Sequence, residues 1–224
     1  MNKFVETHGN QKLLDTNFYA ARDGIKLSFE KTTKLPDKQM FAYAKEELAN
    51  LTKQEKPFVF TLMTLDTHYG TAKFADDICE RKYGPHNNIE NVVSCADKQI
   101  GDFIKWLQKQ EFYKDTVVVF VGDHLTMNPR FTKDMNRKPL NIFINSPVAA
   151  DNTRNRTFTP FDIYPTIVES LGAKIDGHRL GLGTSLFSDV PTLTEGKMSV
   201  DDMDINVRKK SKVYDWMLYG KDVY

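Results

Sequence analysis

The stretch FYKDTVVVFVGDHLTM, residues 112–127, decides the fold. Asp115 and Thr116 lead into an unbroken apolar run, Val117 to Val121, that is strand-sized and has no polar alternation. A strand that is apolar on both faces is the kind a parallel sheet buries. The run breaks off at Gly122, Asp123 and His124, just past the carboxyl end of the predicted strand. Functional residues of open parallel sheets gather at that position.

On the N-terminal side, FVFTLMTLD (residues 58–66) is a second continuous apolar run, stopped upstream by Pro57 and ending in Asp66, Thr67 and His68. Before it, Met40, Phe41, Ala44, Leu48 and Leu51 recur at helical spacing, which predicts a helix over Asp37 to Leu51. Between the two strands, Ile89, Val92, Val93, Ala96, Ile100, Phe103, Ile104 and Leu107 form one stripe of a helix from Ile89 to Gln110, with Asn88 as N-cap. Downstream, Leu140 to Ile144 reads as a third strand. Thr159 and Pro160 then open a helix that Gly172 closes. A final amphipathic helix is expected within Val200 to Leu218. Strand, helix, strand in this order predicts an α/β fold with a largely parallel sheet flanked by helices, in one domain.

Composition narrows the function. With 40% hydrophobic and 27% charged residues and a formal net charge of +1, the chain has the balance of a globular domain. No overall basic field points to nucleic acid. The basic run Arg208, Lys209, Lys210 and Lys212 reads as a solvated helix face. No run approaches the roughly 18 to 20 apolar residues that span a bilayer. The start, MNKFVETHGN, lacks the apolar core of a secretion signal.

Of five histidines, two stand at strand ends. Asp123 and His124 offer a hard carboxylate and an imidazole side by side, which suits zinc or manganese, with Gly122 expected to turn the backbone sharply. The plain alternative is a strand-ending turn, with Asp123 capping the next segment and His124 exposed. Two ligands also fall short of a complete site. His68, after Asp66 and Thr67, could contact a phosphate or sulfate oxygen or protonate a leaving alkoxide, or simply be a hydrogen-bonded loop histidine. His86 and His178 read as surface residues. The two cysteines, Cys79 and Cys95, are either reduced or joined by a disulfide whose loop closure contributes about 3 kcal/mol.

Taken in order, the DTH tripeptide, CADKQIGDFIKWLQKQ, FYKDTVVVFVGDHLTM, FTPFDIYPTIVESLG and DGHRLGLGTSLF resemble the C-terminal part of sulfatase-like, alkaline-phosphatase-superfamily domains of lipid-headgroup transferases. The nearest resemblance is to phosphoglycerol transferases of periplasmic glucans. Lipoteichoic acid synthases and phosphoethanolamine transferases are more distant. The match is strongest over residues 37–218.

The resemblance implies Asp123 and His124 as ligands of a manganese or zinc ion, and His68, with Asp66, at the transferred phosphoryl group. It also implies that Cys79 and Cys95 pair. His8, in a THGN context, falls where such proteins often carry a histidine-glycine pair, without an assignable role. The implied reaction moves a phospholipid headgroup to a glucan or glycolipid acceptor through a covalent phospho-threonine or phospho-serine. The implied setting is the periplasmic side of a bacterial inner membrane. The family's nucleophile, a further acidic ligand and its membrane helices are expected in an N-terminal part that these residues do not include. A non-catalytic remnant or binding module of the same fold is the alternative, and a phosphatase or sulfuric ester hydrolase is a third.

Overall fold

The computed structural model describes residues 11–26, 35–84, 89–128, 133, 137–150, 154–196 and 198–219. They group into two compact units, Met1–Tyr113 with Thr126–Asn136, and Lys114–Leu125 with Arg137–Tyr224. His8, His86 and Asn88 lie outside the described residues.

In the first unit, helix α1 (Thr16–Asp23) starts at Asp15, whose carboxylate accepts the Phe18 N–H at 2.9 Å, and closes at Gly24 in left-handed backbone (φ 67°). No apolar stripe marked this helix in the sequence, because its buried face is only Tyr19 and Ala20. Tyr19 instead stacks on Tyr43 of helix α2 (Asp37–Leu51), with ring centroids 3.9 Å apart. The Arg22 guanidinium covers both rings at 4.9 and 4.7 Å while it pairs with Asp23 and Glu46. Burial pushes the Tyr19 phenol up to about 12.

Phe41, Ala44 and Leu48 of α2 are buried, as their spacing predicts. Phe41 meets Phe103 of helix α3 (Ile89–Leu107) at 5.1 Å. Val92, Ala96 and Leu107 carry the inner face of α3, but Val93 points outward. A disulfide joins Cys79 to Cys95, tying the preceding loop to this helix.

The predicted strand at Phe58 to Leu65 is extended without a strand partner among the described residues. Phe60, Leu62 and Thr64 are half-buried, whereas Val59, Thr61 and Met63 are exposed. One face is therefore covered and the other is not, in place of the burial on both faces that the apolar run predicts.

The second unit contains strand β1 (Val118–Val121) and strand β2 (Asn141–Ile144). They pair antiparallel, Val118 opposite Ile144 and Val121 opposite Asn141, and the Gly122 N–H to Leu140 carbonyl bond (2.8 Å) prolongs the ladder. The expected largely parallel sheet is thus corrected for the described strands, which form two antiparallel pairs. Parallel strands need a crossover, usually helical, and the described residues between β1 and β2 contain no helix.

Helix α4 (Pro160–Ser170) opens on a capping box in which Thr159 and Asp162 serve each other's backbone. It ends in a Schellman turn: Gly172 (φ 85°) donates to Glu169 and Ala173 to Val168. The short antiparallel pair β3 (Arg179–Leu180) and β4 (Gly183–Thr184) packs on α4. The closest approach is at Gly183, where a Cβ would lie 2.0 Å from the Phe161 carbonyl oxygen.

A short helix α5 (Leu193–Gly196) follows. The expected last helix is two, α6 (Val200–Val207) and α7 (Lys212–Tyr219). The basic run falls at the break, and Ser211 restarts the helix by accepting the Tyr214 N–H at 3.2 Å.

Candidate active site

The first unit holds Asp66 and His68 and the second holds Asp123 and His124. Asp66 is buried at the end of the extended run. Its carboxylate accepts the Asp37 N–H (3.1 Å) at the start of α2, while Asp37 accepts the N–H groups of Leu65 (2.7 Å) and Asp66 (3.2 Å). The two aspartates thereby lock the run to a helix N-terminus, where negative charge is favoured. Nothing in the sequence marked Asp37 beyond an acidic first helical turn.

The Asp66 carbonyl also accepts the Lys73 N–H at 2.9 Å, which closes the loop that carries His68. His68 itself is exposed, and its Nδ1 lies 3.2 Å from the Thr71 hydroxyl. Beside the loop is a cavity of about 310 Å³ bordered by Pro36, Lys38, Asp66, Lys73, Ala75 and Asp77. Lys38 pairs with Asp77 across it and holds that carboxyl below the usual range.

At the end of β1, Gly122 keeps to the ladder and stays outside the left-handed region, so it does not make the sharp turn the sequence suggested. The two side chains meet nonetheless. Asp123 Oδ2 is 3.4 Å from His124 Nε2, and the side chains are 86% and 54% exposed respectively. The other ring nitrogen, Nδ1, lies 2.8 Å from the Leu125 carbonyl. A carbonyl can only accept, so Nδ1 carries a proton toward Leu125, and Nε2 is the ring nitrogen that faces the carboxylate. This is how a metal-ligating histidine is oriented.

Asp123 Oδ1 accepts the His124 N–H at 2.9 Å, which fixes the carboxylate over the ring. The donor set, one hard oxygen and one imidazole nitrogen, fits a divalent ion as two of its ligands. Among the described residues no group of three or more His, Cys, Asp or Glu side chains is placed to hold one.

The sulfatase family model matches residues 2–173. The chain belongs to the sulfatase family. That family implies an alkaline-phosphatase-like α/β fold. Among curated relatives, this sulfatase-family chain is 24% identical over 207 residues to "Phosphoglycerol transferase I" of Xanthomonas axonopodis pv. citri, covering 89% of the chain and 29% of the relative. It is 27% identical over 176 residues to the protein of the same name from Shigella flexneri, covering 74% of the chain and 21% of the relative. The chain therefore spans less than a third of these relatives' length. No solved structure gives a significant match.

Three polar knots of the sulfatase-family chain went unread in the sequence. Arg156 donates to both Glu195 carboxylate oxygens (2.8 and 2.7 Å) and to the carbonyls of Ser188 (2.7 Å) and Val190 (2.9 Å). The guanidinium holds the Glu195 carboxyl down at about 2. Asp162, buried, accepts the N–H groups of Thr184 (2.7 Å) and Thr159 (2.8 Å). His178, expected as a plain surface residue, places Nδ1 2.6 Å from the buried carboxylate of Glu169. Apart from the local Thr159–Asp162 capping box, these partners are 9 to 39 residues apart, beyond any local pattern.

Proposed function

We propose that the chain is part of a metal-dependent phosphoglycerol transferase that moves a phospholipid headgroup to a glucan or glycolipid acceptor. The observation that carries this reading is the Asp123–His124 pair, with Nδ1 anchored on Leu125 and Nε2 turned to the carboxylate. The name of the relatives favours phosphoglycerol over phosphoethanolamine as the group moved.

A manganese or zinc ion bound there supplies Lewis-acid stabilisation of phosphoryl oxygens and a lowered pKa for the attacking hydroxyl. The chain's own residues do the rest. Asp123 and His124 hold two coordination positions. Asp66 and Asp37 fix the loop that presents His68, whose ring gives a proton to the leaving alkoxide or a hydrogen bond to the transferring group. The nucleophile, a threonine or serine, is supplied by sequence outside these 224 residues. Its oxygen bonds to phosphorus as diacylglycerol leaves with a proton, and an acceptor hydroxyl then displaces it. A phospholipid donor places the reaction at a membrane, on the periplasmic side, although no helix among the described residues is long and apolar enough to cross one.

The chain alone, given manganese and phosphatidylglycerol, is expected to release no glycerophosphate and to cleave no nitrophenyl phosphate. Robust metal-dependent turnover lost in Asp123→Asn would show that the nucleophile lies within the chain.

A further inference from the structure

The basic run and the last helix belong together. Arg208, Lys209, Lys210 and Lys212 are all exposed and stand directly before or at the start of α7. On that helix Val213, Tyr214, Trp216 and Met217 are 58% to 69% exposed, four large apolar side chains within five positions. Among the described side chains of α7, only Asp215 and Leu218 turn partly inward. Soluble surfaces scatter such residues singly, and a contiguous group marks a contact face.

From Arg208 to Tyr219 the sequence carries four basic side chains against one acidic, Asp215, for a net +3. Of the three acids of α6, Asp201 and Asp202 sit in its first turn, where they complement the helix N-terminus, and Asp204 lies further along. Arg208 retains an i,i+4 pair with Asp204, and Lys209 donates to Asn206 at 2.8 Å.

We propose that α7 and the basic run dock on an anionic lipid surface, with Trp216, Tyr214 and Met217 entering the headgroup boundary and the lysines meeting lipid phosphates. Tryptophan and tyrosine favour that boundary because one end of each is apolar and the other wet. An interfacial helix binds through apolar burial plus attraction to anionic headgroups, the two features that adjoin here. A second copy of the chain is a poorer occupant, since an isologous contact would set one basic run close to the other. The contact is peripheral, separate from any spanning anchor, and stands independently of the metal reading.

The test is sedimentation of the full chain, without added metal, with vesicles of phosphatidylserine and phosphatidylcholine, against phosphatidylcholine alone. Tryptophan emission, to which Trp106 and Trp216 both contribute, is followed in parallel. Binding to the anionic vesicles alone is expected, falling as salt is raised. Each basic side chain is worth about fivefold in partitioning, so Lys209→Glu with Lys210→Glu lowers it by about 25-fold or more. Both lysines are exposed, and a melt of that variant run in parallel separates lost lipid binding from any change in folding. Trp216→Ala abolishes the blue shift and weakens binding on the order of tenfold. Equal binding to both vesicles, binding to neither, or binding unchanged by the lysine reversals would overturn the proposal. So would a dimer that shields Trp216 from quencher without lipid. The metal reading survives any of these failures.

Discussion

The knot around Asp162 and Arg156 and the strand end at Asp123–His124 belong to the same unit and treat polar groups in opposite ways. In the knot, carboxylate and guanidinium groups are taken up by backbone. Asp162 serves Thr159 and Thr184, and Arg156 serves Glu195 and two carbonyls. At the strand end, the carboxylate and ring face each other and the solvent. Both carry motif residues of the family resemblance. Buried motif residues whose polar atoms are taken up in a network hold the architecture, whereas Asp123 and His124, each with one atom anchored on local backbone, leave Oδ2 and Nε2 in the open for a ligand.

The sharpest way to break that division is Gly183→Ala. The added Cβ would collide with the Phe161 carbonyl at 2.0 Å, and the overlap is with backbone, which cannot swing aside. A loss of about 3 kcal/mol or more is expected in a denaturant melt. A neutral result would mean that the GLGTS segment is not locked to α4.

How much of this was legible follows from where each signal lies. The helices at Asp37–Leu51 and Ile89–Leu107 could be read because buried side chains recur at helical spacing. Pro160–Ser170 could be read instead from its Thr159–Pro160 start and Gly172 stop, its buried face being mostly polar (Asp162, Thr166, Glu169 and Ser170). Strand β1 and its exit at Asp123 and His124 could be read from an apolar run and its end. Sheet direction could not, because continuous apolarity does not encode the partner's orientation, and it overstates burial as well, since Val118 to Phe120 are half-buried and Val121 is exposed. The Phe58 to Leu65 run shows the same gap, extended as its residues ask but covered on one face only. The break of the last helix rests on Ser211 as a cap within a basic run, a signal that helical periodicity overrides. Arg156–Glu195 and His178–Glu169 depend on tertiary approach, which no spacing encodes.

Glu195→Gln sharpens the comparison at intermediate size. The ion pair is largely shielded, and the folded carboxyl titrates at about 2 rather than the ordinary 4.5. Its contribution is therefore fully present above about pH 4.5 and is lost as pH falls from there toward 2. The variant should be about 2 kcal/mol less stable than the parent at neutral pH, with the two curves merging toward pH 2. A gap that persists unchanged in acid would assign the loss to packing instead of charge.

The smallest stability effect is expected at the strand end, where Asp123→Asn and His124→Ala should each move the melt by no more than about 0.5 kcal/mol, as befits exposed side chains. Their effect lies in ligand binding, and the most direct measurement is a calorimetric titration of the chain and these two variants with zinc and with manganese near neutral pH. The account predicts a saturable heat for the parent that is lost in both variants while their folding is unchanged. A saturable heat with the same isotherm in parent and variants would contradict the assignment of Asp123 and His124 as metal ligands.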